Sequence, residues 1–306
     1  MRRLLLSLAA LPLAACAEPA GLELGAAAAP IVGGTAAPDD HAVVLLASYP
    51  TDRSVLATCT ASVIAPTVLL TAAHCVDPTT HPGWVFGMFP GADASAYPTL
   101  AALEPHLVPV ASVHAHPSYV RTAPFTADIA VAILATPTDI APLPVNRAAL
   151  SSSLTGQPAR IVGYGQAQVG VASATRRQAM TVIDGFDPDD TVRVGDAQHV
   201  TCLGDSGGPA LIAIGGVETI IGVDSYADNG TCDRPAHFRR TDAYAASFID
   251  TYAPPPAAGP DAGTAGPDAG DGGGDDGGGC AAAGGRGGIG AVALGLAALV
   301  ARRRRR

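Results

Sequence analysis

The chain has 306 residues, a formal net charge of −9, 18 arginines and no lysine, and only 15% charged residues. Residues 31–253 carry 10 Arg against 20 Asp and Glu, which excludes the basic face that a nucleic-acid-binding protein needs to displace counterions. Glycine follows no three-residue period, which excludes collagen, and only the two ends are apolar enough to concern a membrane, which excludes a multi-span protein.

In chain order, Met1-Arg2-Arg3 leads into an apolar stretch of 12, Leu4 to Ala15, and then Cys16. A basic start and an apolar run of that length predict a secretory signal peptide. Leu13-Ala14-Ala15-Cys16 resembles a bacterial lipobox, in which the Cys is lipidated and becomes the mature N-terminus. The alternative is an ordinary signal peptide cut after a small residue. Residues 1–16 are assigned to this signal and 17–30 to a propeptide.

Short apolar runs of strand length follow: Ala42–Ala47, Ser62–Ala65, Val68–Leu70, Ile129–Leu134, Ala159–Val162, Met180–Ile183, Ala210–Ile214 and Thr219–Val223. They are rich in Val and Ile, and Pro, Gly, Asp and Thr punctuate them. No alternation of strands with helices is visible, so the pattern predicts an all-β sandwich or barrel. One helix is predicted over Asp242–Tyr252, with Thr241 as its N-cap. Ala245, Phe248, Ile249 and Tyr252 share one face of it.

Pro254–Gly279 is nearly all Pro, Ala, Gly, Asp and Thr, and such a segment is expected to be a disordered spacer. Its Asp residues lack the nonapeptide period of calcium-binding repeats. Then come Cys280, an apolar run from Gly287 to Ala301, and five Arg at 302–306. This tail, 280–306, resembles the C-terminal sorting tails of myxobacterial surface proteins, which are cut near the Cys. A plain tail anchor is the alternative, with its Arg cluster on the cytoplasmic side.

Four cysteines remain: Cys59, Cys75, Cys202 and Cys232. An even number in an exported chain predicts two disulfides. Four cysteines allow three pairings, and spacing does not choose among them. Zinc is the competing use, but the close C-x₂₋₄-C spacing it favours is missing.

Three segments carry chemistry. In Gly204-Asp205-Ser206-Gly207-Gly208-Pro209, three glycines leave a Ser hydroxyl exposed and let a substrate approach the backbone closely. Neighbouring backbone N–H groups there suit an oxyanion hole. A Ser hydroxyl needs a base to attack, and Thr71-Ala72-Ala73-His74-Cys75 supplies a His. Ala127-Asp128-Ile129-Ala130 opens an apolar run with an Asp that needs a donor.

Together these segments resemble the chymotrypsin-like (trypsin-fold) serine endopeptidases, in that family's order His, Asp, Ser. The resemblance covers residue 31 to about residue 252. It implies two six-stranded antiparallel β-barrels, with the active site between them and a C-terminal helix. It implies Ser206 as nucleophile, His74 as general base and acid, Asp128 as orienter of the His, and the N–H groups of Gly204 and Ser206 as oxyanion donors. Ser225 matches the strand residue that lines the cleft and buttresses the Asp. The family's disulfides match Cys59–Cys75 and Cys202–Cys232.

Ile31-Val32-Gly33-Gly34 resembles the family's mature N-terminus. Cleavage before Ile31 frees an ammonium expected to bury against Asp205 and order the oxyanion loop. Residues 26–30 are Ala-Ala-Ala-Ala-Pro, which departs from the usual basic cleavage site and implies an activator preferring small residues, or stepwise trimming. The position matching the pocket floor is Val200, and the walls match Ala227 and Ala236. These residues imply a small or medium apolar residue before the scissile bond (P1). His237 falls near the pocket. The other histidines have no assigned role.

The resulting expectation is an exported, zymogen-derived serine endopeptidase acting on proteins or peptides as a monomer, with no cofactor and no metal. Anchoring is expected through the N-terminal lipid, the C-terminal tail, or both, at a bacterial envelope or surface, with release as a secreted form also open. The competing class is a non-catalytic binding member of the same fold.

Overall fold

The computed structural model describes residues 31–122, 125–166 and 173–256. The chain divides into two units, Met1–Pro256 and Ala257–Arg306. The signal, the propeptide and the C-terminal tail, with Cys16 and Cys280, lie outside the described residues, as does all but the start of the spacer.

A two-residue strand, β1 (Thr35–Ala36), precedes six that form the first barrel. These are β2 (Val43–Tyr49), β3 (Ala57–Ala65), β4 (Val68–Thr71), β5 (Val85–Phe89), β6 (Val108–Ala115) and β7 (Ala130–Leu134). They close in the order β2-β3-β4-β7-β6-β5. The second barrel holds β8 (Pro158–Gly163), β9 (Arg177–Asp187), β10 (Thr191–Val194), β11 (Pro209–Ile214), β12 (Val217–Tyr226) and β13 (Ala236–Arg240). Its order is β9-β10-β13-β12-β11-β8, and the β8–β9 pairing closes it. All these strand pairings are antiparallel. β1 adds to β9, so the start of the described chain lies on the second barrel.

The strands follow the burial their sequences demand. In β9, Ala179, Thr181 and Ile183 are buried while Met180 and Asp184 are exposed, the period of two expected of a half-covered strand. β2 is buried along its whole length. Val44 and Leu46 enter the first barrel's core, and Leu45 and Ala47 pack with Phe89 and Tyr164 in a second cluster. That two-sided burial is why Val-Val-Leu-Leu-Ala reads as a continuous apolar run.

The C-terminal helix runs through Thr241–Tyr244, a π-helical stretch Ala245–Ile249, and Asp250–Tyr252. Ala245, Phe248 and Ile249 are buried, as expected. Thr241 is not the N-cap. It sits in the first turn, and its hydroxyl donates to the Ile220 carbonyl of β12 at 3.0 Å. The capping position is Arg240, whose side chain makes no cap bond. A buried carbonyl of the adjacent strand takes the hydroxyl that the helix end was expected to use.

Candidate active site

His74 lies just after β4, in a short 3₁₀ turn, Ala73–Cys75. Ala72 and Ala73 are fully buried in the barrel core, and Cys75 is bonded to Cys59 of β3. The turn is therefore fixed on both sides of the histidine. Asp128, fully buried, precedes β7. Its Oδ1 accepts the His74 backbone N–H at 2.8 Å, and its Oδ2 lies 2.8 Å from His74 Nδ1. Ser225 of β12 donates its hydroxyl to the same Oδ2 at 2.6 Å. A carboxylate on Nδ1 keeps the proton there and leaves Nε2 free to accept one. Phe125 stacks on the imidazole at 5.7 Å.

Ser206 comes from the loop before β11, on the second barrel. It lines the same cleft as His74, a cavity of about 530 Å³. Thr60 of β3 ties this loop to the first barrel. Its N–H donates to the Ser206 carbonyl at 2.9 Å and its hydroxyl to the Gly204 carbonyl at 3.0 Å. The same hydroxyl accepts the Tyr164 N–H. Gly207 has φ +83°, and a β-carbon there would lie 2.1 Å from Thr71 Oγ1. Only glycine fits that close approach. Among the described residues, the N–H groups of Gly204 and Ser206 have no backbone or side-chain acceptor.

Asp205 is fully buried and accepts the N–H groups of Cys202 at 2.9 Å and Gly165 at 2.8 Å. Burial pushes its carboxyl up to about 7 against those two hydrogen bonds. Among the described residues no cation lies within ion-pair distance of it. Ile31 is fully buried in the second barrel's apolar cluster. Its φ is +57°, a costly conformation for a β-branched residue.

The remaining expected residues divide. Ser225 and Ala227 line the cleft, and so does the Cys202–Cys232 disulfide. Val200 and Ala236 do not: both are 1% exposed. Val200 accepts the Val32 N–H, and Ala236 packs into the barrel cluster. In their place Thr201 and Asp224 line the cavity. Asp224 and Thr60 are the residues that motif reading missed. His237 does not line the cleft; it stacks on Tyr226 at 4.3 Å, with Nε2 2.9 Å from Asp228.

Cys59, His74 and Cys75 bring three potential metal-ligating atoms together, but both sulfurs are committed to their disulfide. A larger concavity, about 680 Å³, opens beside Asp40, Ile140 and Glu218, and no residue of the cluster around His74 lines it.

The family model named Trypsin matches residues 31–248. The chain is also similar to Ovochymase of Halocynthia roretzi, 29% identical over 168 residues, which make up 49% of this chain and 10% of that protein. The chain thus spans about a tenth of that relative's length. The family match runs through both barrels and takes in His74, Asp128 and Ser206, and on that ground the chain belongs to the trypsin family.

Proposed function

We propose that this chain is a serine endopeptidase. Ser206 Oγ attacks the scissile carbonyl and passes its proton to His74 Nε2. The carbonyl oxygen becomes an oxyanion, which the free N–H groups of Gly204 and Ser206 receive. His74 then gives the proton to the leaving amine, and an acyl-enzyme remains. Water, deprotonated by His74, hydrolyses it and restores Ser206. Asp128 stays ionised throughout and holds the imidazolium. The observation that carries this reading is the double grip of Asp128 on His74, in a cleft that Ser206 shares.

Activation by cleavage before Ile31 is part of the proposal. Two facts support it: Asp205 is buried with no cation in ion-pair distance among the described residues, and Ile31 is buried in a strained backbone conformation. Cutting the preceding bond removes the strained torsion altogether and creates an ammonium that can satisfy Asp205. Export, with residues 1–16 as signal, 17–30 as propeptide and 254–306 as spacer and tail, is supported by the sequence of the ends and by two disulfides. The expected apolar P1 rested on Val200, Ala227 and Ala236. Only Ala227 of these lines the cleft, so the preference has to be read from its neighbours.

The test uses the full chain with residues 26–30 replaced by the recognition sequence of a processing protease. After cleavage before Ile31, a fluorophosphonate probe is expected to label Ser206, and peptide anilides to be hydrolysed. Both are expected to vanish in Ser206→Ala. Folded, cleaved protein that neither labels nor turns over any substrate is instead a binding module.

A further inference from the structure

Three buried carboxylates surround the cleft, and the reading above employs two. Asp128 faces His74 at 2.8 Å. Asp205 is the acceptor for the Ile31 ammonium. The third, Asp224 of β12, is 5% exposed and has no assigned task. It lies in the field of both the others, and among the described residues no cation lies within ion-pair distance of it. The Thr201 hydroxyl and the Ser225 N–H lie near enough to favour its ionised form, against the burial.

Asp224 and Thr201 line the cleft together with Ser206, whereas Val200, 1% exposed, does not. A substrate side chain entering the cavity therefore meets a carboxyl group. Burial and the two neighbouring carboxylates push that carboxyl well above the usual carboxylate range. An uncompensated buried charge is costly, and a matched opposite charge removes most of the cost. A cationic side chain lets Asp224 ionise, its proton leaving to solvent, and supplies it with a countercharge. An apolar side chain supplies none and leaves the carboxyl facing hydrocarbon.

We propose that Asp224 is the specificity-determining residue of this cleft, and that it selects Lys or Arg at P1. This rests on the endopeptidase reading and reverses the preference that Val200 implied. The acid acts from the strand wall rather than from the expected floor.

The test uses the cleaved full chain and Asp224→Asn on anilides ending in Lys, Arg, Val, Ala, Phe and Glu. Fluorophosphonate labelling counts competent sites and does not depend on a P1 side chain. The expected result is kcat/KM for Lys and Arg at least 100-fold above that for Val and Ala. In Asp224→Asn that advantage is expected to fall at least tenfold per labelled site. Preference of the parent enzyme for Val, Ala, Phe or Glu overturns the proposal, even where the variant does not fold. So does an unchanged Lys and Arg advantage in a variant that labels. Loss of all turnover and all labelling in the parent overturns the endopeptidase reading itself.

Discussion

The Ser225 hydroxyl donates at 2.6 Å to Asp128 Oδ2, the oxygen that lies 2.8 Å from His74 Nδ1. One oxygen thus joins a strand of the second barrel to the histidine of the first. A buried hydrogen bond to a charged acceptor contributes about 1.5–3 kcal/mol. Ser225→Ala is expected to lower kcat by roughly 10- to 100-fold, with little change in KM. Steady-state kinetics at fixed pH check this, and an unchanged kcat refutes it.

Asp205 gives a pH signature that the proposed cleavage before Ile31 is expected to reverse. Moving its carboxyl from 3.8 to about 7 penalises the ionised folded form by roughly 4 kcal/mol. The uncleaved chain therefore has this stability in full below pH 3.8 and loses it as pH rises through about 7. Relative to uncleaved Asp205→Asn, its melting temperature is expected to rise as pH falls from 8 to about 5. After cleavage the Ile31 ammonium favours the carboxylate, and the trend against the same variant is expected to invert. Melting temperatures of the four proteins across that range decide it.

Arg176 is 1% exposed and, among the described residues, pairs with no carboxylate. It donates to the carbonyls of Ala37, Pro38 and Val43 at 2.7–2.8 Å and to Tyr164 Oη at 3.1 Å. Arg176→Met keeps the volume and leaves those acceptors unmet. A loss of roughly 3 kcal/mol or more is expected, or a melting temperature lower by about 6–12 °C. Calorimetry of the two chains measures it.

Thr60 makes a prediction about activity rather than stability alone. Thr60→Val retains the backbone bond to Ser206 but removes the hydroxyl that bridges Gly204 and Tyr164. The cost is expected at about 1–3 kcal/mol, with kcat reduced because the Gly204 peptide is freed to turn. Unaltered kcat in a folded variant would separate Thr60 from the oxyanion loop.

Each apolar run read from the sequence lies inside a strand or overruns it by one residue, although β3, β9 and β12 extend several residues further. Five strands were not legible, and their residues explain why. β13 reads Ala-His-Phe-Arg-Arg, yet His237 and Arg239 are buried. His237 lies between Asp187 and Asp228, and Arg239 reaches Asp189 and sits over the Tyr226 ring. Those partners are distant in sequence, so the strand looks like surface. β6 carries Pro109 and is half exposed, β5 has Gly87 at its centre, and β1 and β10 are too short to show a period. His74, Asp128 and Ser206 stood out because each sits in a distinctive local motif. Asp224 has no such neighbourhood. Its one clue is an acid directly after the apolar run Ile220-Ile221-Gly222-Val223, and sequence does not say what that acid faces.

The crossing of the chain ends bears on how the cleft responds to force. β1 and Ile31 lie on the second barrel. The last turns of the C-terminal helix pack on the first, through Phe248 and Tyr252 against His116 and His114. Each half is strapped down by the other's end, so the cleft cannot swing open like a hinge unless a strap peels. Substrate selection thus falls to the rigid cavity wall and its loops, not to domain closure. A pull on the chain at Pro256 is borne by the helix on the first barrel, away from Ser206.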